Sequence, residues 1–254
     1  GSEMCIRDRY SLHLCKERKI INYNNAIKKK EIKDDSISSV FVGELEDALQ
    51  ACDWNSVDKL MPSIYYVSDR SRSIIDTIAD LGLQNIDSNI VMIFHLLRAF
   101  NFKQKKSHVW TYACLLVNKI KSNPLPKPKS RKDCAPKDFI ENIANEKDVQ
   151  KLVKYAAVSR IWDGDYVRLR SYRREISFWL YENFSKSTEK NMEDTNIKNR
   201  QIDFISVAEK IILNGNSYDM ISEKINVLDA LRYLDNIGCS INIKSHVDSL
   251  LRNE

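Results

Sequence analysis

The chain has 254 residues, 43% of them hydrophobic, enough apolar material to form a core, which excludes a wholly disordered protein. Only six Gly and five Pro are present, too few to punctuate a β-rich fold, so the composition favours helices. A formal net charge of +5 permits nucleic-acid binding but does not demand it, because clustering matters more than the total.

Gly1-Ser2-Glu3 reads as an expression-tag remnant, and Met4-Cys5-Ile6-Arg7-Asp8-Arg9-Tyr10 resembles translated sequencing-adaptor DNA, as in genes assembled from environmental samples. Charges stand where a signal peptide would have its apolar centre. Residues 16–35 are dominated by Lys, Asn, Asp and Glu, with Lys28-Lys29-Lys30 as a basic cluster, and read as a polar arm.

From Ser39 the pattern turns amphipathic. Phe41, Leu45, Ala48, Leu49 and Cys52 recur at three and four residues, as one face of a helix requires. Asp53-Trp54-Asn55 predicts a turn, with Asn55 capping a short helix that Pro62 limits or kinks. Ser71 is the expected cap of a helix carrying Ile74, Ile75, Ile78 and Leu81, ended by Gly82 in a left-handed conformation. Ser88 and Ser107 are the expected starts of two further helices, the first with Ile90, Ile93, Phe94 and Leu97, the second with Val109, Trp110, Ala113 and Leu116.

Residues 121–137 break the helical regime. The run Lys121-Ser122-Asn123-Pro124-Leu125-Pro126-Lys127-Pro128-Lys129-Ser130-Arg131-Lys132 is basic and cannot be a regular helix, because proline lacks the amide donor and clashes with the preceding turn. Pro136 suits the first turn of the next helix. Another helix is expected from about Lys147, then an Asp163-Gly164-Asp165 turn and an aromatic and Arg-rich segment over residues 166–184. Residues 185–200 are polar and aperiodic, the expected linker. Helices are expected at 201–213, 218–236 and 243–252. The reading is therefore all-α: a main helical domain over 39–184 and a separable helical region over 201–254.

Nucleotide and metal signatures do not occur. There is no G-x-x-x-x-G-K-[ST] and no G-x-G-x-x-G. His13, His95, His108 and His246 fall in neither H-E-x-x-H nor E-x-x-H spacing, and the six cysteines contain no C-x-x-C. Free thiols, and a cytoplasmic protein, are the expectation, and no apolar run approaches the ~20 residues that span a bilayer. Asp163 and Asp165 are the type of a metal pair, but D-G-D is more commonly a turn. Trp54, Trp110, Trp162 and Trp179 sit beside apolar residues and are assigned to the core. No catalytic residue, metal site or cofactor is assigned.

The basic clusters carry more. Lys127, Lys129, Arg131 and Lys132 lie in the proline-stiffened loop. Arg168, Arg170, Arg173 and Arg174 lie with Tyr166 and Tyr172 in one short segment. Guanidinium forks suit phosphates, and aromatic rings stack on bases. These residues are the candidate nucleic-acid contacts, set against a solvated face neutralised by the chain's 35 acids.

Two elements resemble the helical oligomerisation domain that follows the ATPase in clamp-loader-like AAA+ proteins of the Werner-helicase-interacting, replication-associated recombination type. Ala79-Asp80-Leu81-Gly82-Leu83-Gln84-Asn85 resembles that family's E-D-I-G-L-A-[DN]-P element, and Lys127-Pro128-Lys129-Ser130-Arg131 its later lysine-serine element. Asp53-Trp54-Asn55-Ser56-Val57 is similar to its opening turn, and Arg70 and Arg72 fall in its arginine helix. The resemblance spans about residues 39–135; Ala79 stands for the family's glutamate, Ile86 for its proline, and the ATPase is missing. It implies a structural role for Asp80, Gly82 and Ser130, with Asp80 holding arginines or backbone amides. It also implies a homo-oligomeric scaffold acting on DNA with a replisome or ATPase partner and no membrane. Two other expectations stay open: an all-helical enzyme, with or without a metal, around His95, His108 and Cys114, and a protein–protein adaptor of viral or bacterial origin.

Overall fold

A computed structural model describes residues 38–67, 72–102, 106–144, 146–164, 171–185, 202–239 and 241–252. The described residues are helical, joined by turns and irregular segments, with no strand among them. The all-α expectation holds. The chain divides into two compact units. One holds the described residues up to Arg131 together with Ile161–Ile176; the other holds Lys132–Arg160 and the described residues from Ser177 onward. Residues on both sides of the expected linker thus belong to the second unit.

The first unit begins with α1 (Ser38–Gln50) and α2 (Trp54–Val67), which pack along each other. Leu45, Ala48 and Leu49 from α1 and Val57, Met61 and Ile64 from α2 are buried. Between them Cys52 takes a left-handed backbone, φ 57°. Its amide donates to Leu49 O at 3.3 Å and that of Asp53 to Ala48 O at 2.9 Å, the paired bonds that close a helix C-terminus in a Schellman turn. The cap of α2 is Asp53 rather than Asn55: its carboxylate accepts from Ser56 N at 3.2 Å and Ser56 Oγ at 2.6 Å. Pro62 sits inside α2, which runs on to Val67.

The helices α3 (Ser73–Gly82) and α4 (Ile86–Phe102) join through one 3₁₀ turn, Leu83–Asn85. Here the structure corrects the sequence. Gly82 is right-handed, φ −57° and ψ −27°, and Ile86, not Ser88, opens α4. The chain needs no reversal at Gly82, because the 3₁₀ turn carries it onward and Asn89 Nδ2 donates to the Gly82 carbonyl at 3.0 Å. Space at Gly82 is tight: a Cβ there would lie 2.9 Å from Ile93 Cδ1, the end of a side chain that would have to shift, and 3.7 Å from Ile120 Cδ1, an ordinary contact. Ser71 lies outside the described residues. Helix α5 (Lys106–Ser122) packs on α3 and α4, and the expected stripes, Ile74, Ile75 and Ile78 with Ile90, Ile93, Phe94 and Leu97, are all buried. Each such side chain contributes about 1.5–3 kcal/mol.

In the second unit a 3₁₀ turn, Pro136–Phe139, runs into α6 (Ile140–Ala144), with Pro136 at its first position as expected. Helix α7 (Val149–Asp163) contributes its residues up to Arg160, and α8 (Tyr172–Phe184) its residues from Ser177. Tyr155, 1% exposed, donates its hydroxyl to Pro136 O at 2.7 Å and meets Phe184 edge-on. The tail forms α9 (Phe204–Asn214), α10 (Tyr218–Asn236) and α11 (Ile243–Arg252), close to the expected spans. They pack on one another. Arg160 of α7 pairs with Asp229 of α10, donates to Asp229 O at 2.7 Å and lies over the Tyr233 ring at 4.5 Å.

Candidate nucleic-acid interface

The start of α8 is held from two directions. Ser171 precedes its first residue, and its carbonyl accepts from Arg174 N and Glu175 N. Its own amide and hydroxyl donate to Asp80 of α3, at 3.4 and 2.7 Å. Asp80 therefore binds a backbone amide, one of the two roles expected of it. A carboxylate at a helix N-terminus is also favoured by the helix dipole.

The proline-rich loop is tied down along its length. Asn85 Nδ2 donates to Pro124 O at 3.2 Å and Gln50 Nε2 to Pro126 O at 3.3 Å, while Leu125 is buried. The Lys129 amide then meets Glu175 of α8, 3.3 Å from each carboxylate oxygen. Lys127, Pro128, Lys129, Ser130 and Arg131 are all exposed. Anchoring the backbone presents these cations with part of the ordering entropy already spent.

Arg174 reaches the same Glu175, at 2.7 and 2.9 Å, although that carboxylate is only 2% exposed. One acid thus gathers both basic clusters, the loop and the arginine segment. Arg173 is exposed and stacks on aromatic rings, 5.3 Å from the Trp162 centroid and 5.5 Å from that of Tyr172, whose hydroxyl accepts from Arg173 Nε at 2.8 Å. Tyr166, Arg168 and Arg170 lie outside the described residues. Trp162, assigned to the core from sequence, is half-buried and carries this arginine; Trp54 is likewise half-buried beneath Lys121 Nζ at 5.6 Å. Trp110 and Trp179 are core residues.

Lys132 belongs to the second unit. Its amide donates to Ser177 Oγ at 3.0 Å, and its ammonium lies 4.8 Å from the Tyr181 centroid and 5.7 Å from that of Phe178.

No family model, curated protein or solved structure matches the chain.

The histidine and cysteine candidates are packed rather than poised. His95 is buried edge-on to Phe94, and His108 is half-buried edge-on to Tyr112. Burial, with the Asp58 charge adding to it, pushes the Cys114 thiol up to about 12. A nucleophilic cysteine needs the opposite shift. Among the described residues no group of three His, Cys, Asp or Glu side chains is placed to hold a metal ion. Asp163 is exposed, and Asp165 lies outside the described residues. No described helix is long and apolar enough to cross a membrane.

Sequence reasoning missed Ser171 and Glu175, the two residues that organise the site. Their signal was present, a serine followed by an acid in the first turn of a helix, but it stood inside a run read only for its arginines.

Proposed function

We propose that this chain is a non-enzymatic accessory protein of DNA replication or repair, a helical scaffold that binds the phosphate backbone of DNA. The observation that carries the reading is the convergence on Glu175 of the basic loop, through Lys129, and the arginine segment, through Arg174. Around it stand the exposed cations Lys127, Lys129, Arg131 and Arg173. Ammonium and guanidinium groups on a fixed backbone suit phosphate contacts, which position a protein on nucleic acid without reading sequence. The scaffold is cytoplasmic, works as a homo-oligomer and cooperates with a replisome or ATPase partner, in keeping with the resemblance to clamp-loader-like helical domains.

Replacing Lys127, Arg131 and Arg173 together by Glu tests the reading. Loss of several phosphate contacts is expected to weaken duplex binding by more than about tenfold at low salt. Unchanged affinity in a folded triple variant would overturn it.

A second reading, the protein–protein adaptor, rests on a different observation. Helix α9 exposes Leu213 (81%), Ile212 (50%) and Ile205 (37%), and grouped exposed apolar side chains mark interaction surfaces. A specific partner captured by the native protein and lost on Ile212→Asp with Leu213→Asp is the expected result; equal capture by both would remove this reading.

A further inference from the structure

We infer that Tyr181, backed by Lys132, is a base-stacking element that selects single-stranded over duplex nucleic acid, an inference that rests on the phosphate-binding function proposed above. Tyr181 is 47% exposed on α8. A large ring on a surface, paired with a cation, has the two features a nucleotide offers complements for: a π face and a charge. Lys132 Nζ lies 4.8 Å from the ring centroid, so the ring and the positive charge are presented together.

The pairing is built in. The Lys132 amide is fixed on Ser177 Oγ at 3.0 Å, and the Cys134 thiol donates to the Ser177 carbonyl at 3.2 Å. Ser177 is completely buried and lies one helical turn before Tyr181. The segment carrying Lys132 is thus sutured to the helix beneath the ring. The half-buried Phe178 ring lies 5.7 Å from the same ammonium.

A duplex buries its base faces and offers an exposed ring only phosphate and sugar. An unpaired strand offers both a face to stack and a phosphate for the lysine. Stacking tolerates any base, because every base has a π face. The class of ligand is therefore an unpaired strand of no fixed sequence.

The test measures binding of an oligothymidylate and of a duplex of equal length to the native chain, Tyr181→Ala and Tyr181→Phe, at one low salt concentration. The native chain is expected to favour the single strand by about tenfold. Tyr181→Ala should lose that preference with duplex binding unchanged, and Tyr181→Phe, which keeps the ring, should retain it. Equal preference in native and Tyr181→Ala proteins, or no preference in the native chain, would overturn the stacking assignment and leave phosphate binding standing. Failure of the native chain to bind either oligonucleotide would overturn the phosphate-binding function, and the stacking assignment with it.

Discussion

The amide of Lys129 points at the carboxylate of Glu175, 46 residues away in sequence and 3.3 Å away from each oxygen. The same carboxylate takes the Arg174 guanidinium. Glu175 is thus an anchor for the basic loop and a brace for the helix start. Its removal leaves a partly buried amide and guanidinium without this acceptor. Glu175→Ala is expected to lower unfolding free energy by about 2 kcal/mol, read as a reduced denaturant midpoint. Glu175→Gln, which keeps an acceptor oxygen, should cost less. An unaltered midpoint in the alanine variant would show that the loop is held elsewhere.

Arg160 and Asp229 form a buried ion pair, their side chains 8% and 10% exposed. Breaking such a pair strands a charge out of water. Asp229→Ala should therefore destabilise the second unit by about 3–5 kcal/mol. Thermal unfolding followed by circular dichroism would check this, and a loss below about 1 kcal/mol would place the pair with weak surface bridges.

Cys52 occupies a left-handed position, φ 57°, where a side chain carries a penalty of about 1–2 kcal/mol. Gly238 fills the equivalent place after α10 at φ 74°, with its own amide and that of Cys239 bonded back to Asp235 and Leu234. Cys52→Gly is expected to stabilise the protein by roughly 1 kcal/mol, after the greater freedom of glycine in the unfolded chain is offset. The measurement is a rise in denaturant midpoint at constant slope; a fall would mean that the half-buried thiol contributes more than the backbone loses.

Burial holds Cys114 protonated up to about 12, against an ordinary value of 9.0. Above pH 9 the unfolded chain releases this proton and the folded chain does not, so stability should fall as pH rises from about 9 towards 12. At neutral pH iodoacetamide should label Cys114 only after denaturation. Rapid labelling of the folded protein would revive a catalytic role for this thiol. His246 works on the acid side: burial lowers its pKa below 6.5. Its contribution is present above 6.5 and is lost as pH falls through the depressed folded value. A His246→Gln variant should therefore show a shallower decline in stability on acidification.

Helix identity was legible because periodicity is local. The stripes through Leu45, Ala48 and Leu49 and through Ile90, Ile93, Phe94 and Leu97 are the buried faces, and the tail helices were legible to within about three residues. The helix ends were less so. Asn55 has the right chemistry for a cap, but Asp53 takes the position once Cys52 turns left-handed. Gly82 carries the usual mark of a helix end, yet it is right-handed and packs against Ile93 and Ile120, a packing fact between segments distant in sequence. The site was legible as two separate basic clusters. Their meeting at Glu175, and the hold of Asp80 on Ser171 across 91 residues, are tertiary contacts that no local pattern encodes. The aromatic platforms under Arg173 and Lys121 were hidden for the same reason, since a tryptophan beside apolar residues reads as core until its neighbours are seen.

The most direct test of the central claim is binding of the native chain to a DNA duplex across a salt series. Phosphate neutralisation releases counterions, so log affinity should fall linearly with log salt, with a slope of about −3 or steeper if the exposed cations of the loop and of α8 each contribute about −0.9. Absence of binding at low salt, or an affinity indifferent to salt, would contradict a phosphate-binding function for this surface.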